Sequence, residues 1–141
     1  DTIEVKKVYP KELKIKIYEK NPIAIVNHNK RSFYLTDKGE LIKYFYSEIL
    51  TELPYIFGNQ KNFLEIYSAL KKIDFPINEI KAFYYFNVGR WDIILKDKRT
   101  IKLPVKDFNL SLENYMKLKQ TINYKKYSVF DYRIKNQLIL N

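Results

Sequence analysis

The sequence predicts an α+β domain, a mainly antiparallel sheet with two helices packed on it. Three observations carry this. The apolar share is 46%, enough for a real core, and only three glycines and five prolines interrupt it. Thirteen tyrosines and nine phenylalanines favour strands, because aromatic side chains suit a pleated, half-buried surface. Period-two segments recur along the chain, with two stretches of helical period set between them. At 141 residues the chain suits one compact domain, or one domain with a fragment of another. The order is strands, helix, strands, helix, strands, with no βαβ rhythm and no fixed repeat.

Taken in order, residues 3–8 and 13–19 read as two strands around the turn Tyr9-Pro10-Lys11-Glu12, whose second position suits proline. Leu13, Ile15 and Ile17 alternate with Lys14, Lys16 and Tyr18, giving one buried and one wet face. One hairpin alone is marginal and needs a partner layer. The chain opens directly on this amphipathic strand, which suggests that an anchor or targeting segment lies upstream. After Asn21-Pro22, residues 23–26 form a short apolar strand and residues 27–30 a turn. Strands at 32–35 and 41–45 flank Thr36-Asp37-Lys38-Gly39, where glycine supplies φ > 0. Residues 47–58 are ambiguous: Ile49, Leu50 and Leu53 fit a helical turn, but Leu53 precedes Pro54, which disfavours α geometry.

Residues 59–73 are the clearest helix, with Phe63, Ile66, Tyr67, Leu70 and Ile73 on one face, Asn59 as its cap and Pro76 beyond its end. Strands follow at 79–87, 90–96 and 99–103, with turns at Val88-Gly89 and Asp97-Lys98. Ser111 is placed to cap a second helix to about residue 121, with Leu112, Tyr115, Met116 and Ile122 as its stripe. The last fifteen residues read as strand 127–134, the turn Lys135-Asn136 and strand 137–141. A strand in that place leaves one side open, a row of free N–H and C=O groups that is both a liability and a docking place.

The search for chemistry returns little. His28 is the sole histidine and sits in a turn; with no cysteine, neither a disulfide nor a thiolate metal site is possible, and no metal or cofactor is expected. Gly39, Gly58 and Gly89 are too widely separated for a phosphate loop. Asp92 and Asp97 lie near a hairpin end, where carboxylates serve turns, and Trp91 alternates in phase with Ile93 and Leu95 as a core residue. Asp131 and Arg133 share a strand face, as a surface ion pair or as a polar anchor beside a docking strand. No apolar run is long enough to span a bilayer. The net charge of +10 raises nucleic acid or anionic headgroups as partners, but lysine outnumbers arginine, no dense basic run with interleaved aromatics occurs, and no nucleic-acid partner is expected.

Six short motifs then fall in one order. Val5-Lys6-Lys7-Val8-Tyr9-Pro10-Lys11-Glu12-Leu13, Glu19-Lys20-Asn21-Pro22-Ile23-Ala24, Asp37-Lys38-Gly39, Leu53-Pro54 to Gly58, Trp91-Asp92-Ile93-Ile94-Leu95 and Phe130-Asp131-Tyr132-Arg133-Ile134 resemble, collinearly, the extracytoplasmic region of the FtsQ/DivIB cell-division family. The resemblance implies that residues 1–20 are the closing hairpin of an incomplete POTRA domain and residues 21–141 a β-domain. It implies a non-catalytic divisome scaffold, anchored in the inner membrane by a single-pass segment absent from this chain and facing the periplasm at the division septum. Its partners would be FtsB and FtsL, the FtsB segment adding a strand to the last strand of the β-domain. By position, Arg133 matches the family's arginine near an acidic partner residue. Ile134 stands where the family often has tyrosine, and Tyr132 where it has leucine. Gln137, Leu138, Ile139 and Leu140 match the pairing edge. The alternatives are another POTRA-containing membrane-assembly or translocation module and, third, a basic nucleic-acid-binding domain.

Overall fold

The structure, a computed structural model, describes residues 20–141. The hairpin expected at 3–19, and with it the incomplete POTRA domain, lies outside the described residues. Among these residues nine strands form one sheet: β1 (Pro22–His28), β2 (Arg31–Thr36), β3 (Leu41–Lys43), β4 (Tyr55–Phe57), β5 (Ile80–Phe86), β6 (Arg90–Leu95), β7 (Thr100–Lys102), β8 (Val129–Asp131) and β9 (Ile139–Leu140). Among the described residues two α-helices, α1 (Phe63–Lys72) and α2 (Phe108–Lys119), accompany it, giving the α+β fold that the sequence predicts. The spatial order of the strands is β3-β2-β1-β4-β5-β6-β7-β8-β9.

The expectation that no βαβ unit occurs does not hold. β4 pairs parallel with β1 and with β5, and β7 pairs parallel with β8. Helix α1 makes the crossover from β4 to β5, and α2 the crossover from β7 to β8. Parallel neighbours need such a connection, because no tight turn can return the chain to the same end of the sheet. What hid the first unit was β4 itself. Its three residues follow Pro54 in the ambiguous stretch, too short for an alternation to register, yet Ile56 is fully buried in mid-sheet. The rest of that stretch is a 3-10 turn at Ile49–Glu52, then an extended Leu53.

Both helices lie on one face. Strand register aligns Val26, Ile56, Phe83, Ile93, Ile101, Phe130 and Leu140 in a single row across the sheet. Phe63 of α1 packs edge-on to Phe83 and Trp91, and Tyr115 of α2 packs edge-on to Phe130. Trp91 is thus core, as its phase with Ile93 predicts. The stripe of α1 holds, with Phe63, Ile66 and Leu70 buried. Asn59 caps differently from expectation: its side chain accepts from the Lys61 N–H and so caps the 3-10 turn that leads into α1. Ser111 is no cap at all. α2 begins three residues earlier because its stripe begins at Phe108, four residues before Leu112. The stripe also ends sooner: Ile122 is 95% exposed, and Tyr124 takes the buried place, its hydroxyl bonded to that of Tyr115.

Candidate functional site

Two hairpins, β1–β2 and β8–β9, show by contrast why the last strand is short. In the β1–β2 hairpin Asn29 and Lys30 both have positive φ, at 50° and 64°. That two-residue turn has the twist of the strands it joins, and pairing runs right up to it, His28 opposite Arg31. After β8 the turn is Ile134–Gln137, closed by the Gln137 N–H donating to the Ile134 carbonyl at 3.0 Å. Here only Asn136 has positive φ, at 61°, the arrangement of a type II turn. Such a turn splays its strands, so pairing resumes only where Asp131 meets Ile139. The predicted strands at 127–134 and 137–141 therefore shrink to β8 and β9. Of the candidate binding residues, Ile139 and Leu140 lie in β9, while Arg133, Ile134, Gln137 and Leu138 lie in the connection before it.

β9 is an edge. Among the described residues no strand pairs with its outer side. Asn141 exchanges both backbone bonds with Val129, each at 3.1 Å. In an antiparallel ladder such pairs alternate with pairs whose groups point away. Leu140, opposite Phe130, therefore turns its N–H and C=O outward. Its side chain stands on the helix face, partly buried against the core, while Ile139 is exposed on the other face.

Beside this edge lies a groove of about 640 Å³ between the 132–138 connection and the start of α2, with Val105, Lys106, Leu110, Asn114 and Tyr132 among its walls. The Tyr132 hydroxyl donates to Asn114 Oδ1 at 2.8 Å, tying the connection to α2, and burial pushes its pKa up. Val105, Leu110 and Ile134 are exposed apolar side chains here.

On the face opposite α1 and α2 a row of charges alternates in sign. Arg90 Nη1 meets Asp92 Oδ1 at 2.5 Å, so Asp92 is a strand residue held by an ion pair and does not serve the turn as expected; Asp97 does, accepting from the Arg99 N–H at 3.1 Å. Lys102 is the cross-strand partner of both Asp92 and Asp131. Asp131, only 7% exposed, accepts three side-chain bonds of 2.7–3.1 Å from Arg133. Those bonds hold its carboxyl below the usual range, with the Lys102 charge adding to the effect. The pair is not wholly on the surface: the carboxylate is buried and the guanidinium half-exposed. The sequence marked Asp131 and Arg133 but not Arg90, which pairs with Asp92 along β6, nor Lys102, whose membership depends on cross-strand register.

Among the described residues no group of three or more His, Cys, Asp or Glu side chains is close enough to hold a metal ion. No helix among them is long and apolar enough to cross a membrane. Fold and site define a class: a single-sheet α+β domain with an edge strand whose outer side has no partner among the described residues, beside a partly apolar groove.

A model of the family described as "Cell division protein FtsQ/DivIB, C-terminal" matches residues 24–133, and the chain belongs to that family. A protein named Cell division protein FtsQ from Rickettsia conorii is 29% identical over 145 residues, covering 94% of this chain and 53% of its own length. One of the same name from Bartonella bacilliformis is 28% identical over 106 residues, 72% of this chain and 33% of its own length. The chain thus spans about a third to a half of these relatives. Among solved structures, the major extracytoplasmic domain of the trans isomer of DivIB from Geobacillus stearothermophilus matches with a TM-score of 0.48 at 15% identity, over 68% of this chain and 87% of that one.

Proposed function

We propose that this chain is the docking part of a non-catalytic division scaffold, which recruits FtsB, together with FtsL, by taking an FtsB segment as a further strand on β9. The observation that carries this reading is the outer side of β9, unpaired among the described residues, with the Leu140 backbone groups directed to it. Strand addition gains its affinity from such main-chain groups and its specificity from the side chains around them. Leu140 and Leu138, both partly buried against the core, offer an apolar shelf to alternate side chains of the guest. Arg133 and Ile134 stand at the head of the edge. The +10 charge would favour an acidic guest in the encounter.

In this reading residues 1–20 are the end of a POTRA domain, residues 21–141 are the β-domain, and a single-pass anchor outside this chain holds both at the periplasmic side of the inner membrane, at the septum. The test is hydrogen exchange with a synthetic FtsB juxtacoil peptide. New protection is expected at Leu140 and, in the same phase, at Leu138, whereas Asn141 is already bonded to Val129. Protection that appears only at β3, the opposite edge of the sheet, would refute docking at β9.

A further inference from the structure

We propose that Asp131 is the positioning residue of this docking edge and that it acts through Arg133, an inference that rests on reading β9 as the edge. The Asp131 carboxylate does two things at once. Oδ1 accepts the Arg133 backbone N–H at 3.0 Å, which bends the chain as it leaves β8. The same carboxylate takes Nε at 2.9 and 3.1 Å and Nη2 at 2.7 Å. One edge of the guanidinium is filled in this way. Among the described residues Nη1 makes no hydrogen bond, and the side chain is 46% exposed. Arg133 is thus held by one edge with the other open to water, at the point where the connection to β9 begins.

The clamp is itself buttressed. Lys102 stands between Asp92 and Asp131 across the strands, and Arg90 closes the far end of the row. The inner charges of the row are matched by neighbours of opposite sign, so a new acceptor oxygen gains most at Arg133, where the row ends. An arginine already fixed by a buried carboxylate loses less freedom on binding than one swinging in solvent. Asp131 therefore contributes to affinity without touching the guest.

The test is a double-mutant cycle on peptide affinity, with the FtsB juxtacoil peptide as probe, using Asp131→Asn, Arg133→Gln and the pair together. Asparagine is isosteric and still accepts the Arg133 backbone N–H, so the bend and the Asn141 amide protection are expected to persist. Each single change is expected to weaken binding about tenfold, the scale of one charge-assisted hydrogen bond, and the pair to be no weaker than Arg133→Gln alone. Equal losses from Asp131→Asn in both arginine backgrounds, or loss of Asn141 protection in the free domain, would overturn the proposal, since Asp131 would then act through the fold. Unchanged affinity in Asp131→Asn would overturn it too. A separate readout needs no peptide: the Arg133 Nε–H should exchange slowly in the unaltered chain and rapidly in Asp131→Asn. A rapid Nε–H in the unaltered chain removes the clamp. A slow one in a chain that binds no peptide removes the docking reading and leaves Asp131 a bend residue only.

Discussion

Replacing Leu140 by proline separates docking from folding. The Leu140 N–H points away from β8, so proline there removes no bond of the existing ladder; Asn141 still exchanges both its bonds with Val129. Proline is tolerated in edge strands for this reason. A guest strand meets something else. It loses one donor, worth about 0.5–1.5 kcal/mol net, and its own carbonyl is buried unpaired at a further cost of about 1–3 kcal/mol. The sum corresponds to a loss of affinity of roughly tenfold to a thousandfold. Leu140→Ala controls for the side chain, which is partly buried beside Phe130. The assay is fluorescence anisotropy of a labelled FtsB juxtacoil peptide, with thermal melts of each variant alongside. Binding by Leu140→Pro within twofold of Leu140→Ala, with melts matched, would refute strand addition at β9. The mirror change, Asn141→Pro, removes the bond to Val129 and should fray β9 itself.

Three further outcomes follow from the fold. Gly58→Ala should destabilise the domain by about 2 kcal/mol or more in a denaturant titration, because φ is +94° and the new Cβ would sit 2.6 Å from the Tyr85 carbonyl oxygen. Burial raises the pKa of Tyr115 and Tyr132 above the ordinary 10.0, so each is protonated in the fold where the unfolded chain would ionise. Their contribution is complete below that value and lost above it, at up to about 1.4 kcal/mol per pH unit for each group, which alkaline melts and tyrosinate absorbance would follow; Tyr132→Phe should make the slope shallower. Asp131 carries the opposite sign: the Arg133 hydrogen bonds lower its pKa from 3.8, so its contribution is present above that pH and lost as pH falls through the folded value. Asp131→Asn should flatten the acid limb of the stability curve, and an unchanged limb would count against the clamp.

Periodicity alone located most strands, the stripe of α1 and the core role of Trp91, because these depend on which face of a local element avoids water. The six collinear motifs gave the family, since spacing between turns and buried residues is a property of the chain. Tertiary structure decided what neighbours decide. β4 is too short to show a period and becomes a central strand only because β1 and β5 pair on either side of it. The extent of the terminal hairpin depends on a type II turn whose splay cannot be read from Lys135-Asn136. Lys102 links Asp92 to Asp131 and Arg133 through cross-strand register, between residues far apart in the chain. That Leu140, and not Ile139, turns its backbone groups outward depends on which carbonyl Asn141 meets. Local sequence sets a strand's faces, but only its partner sets which of its hydrogen-bonding groups remain free.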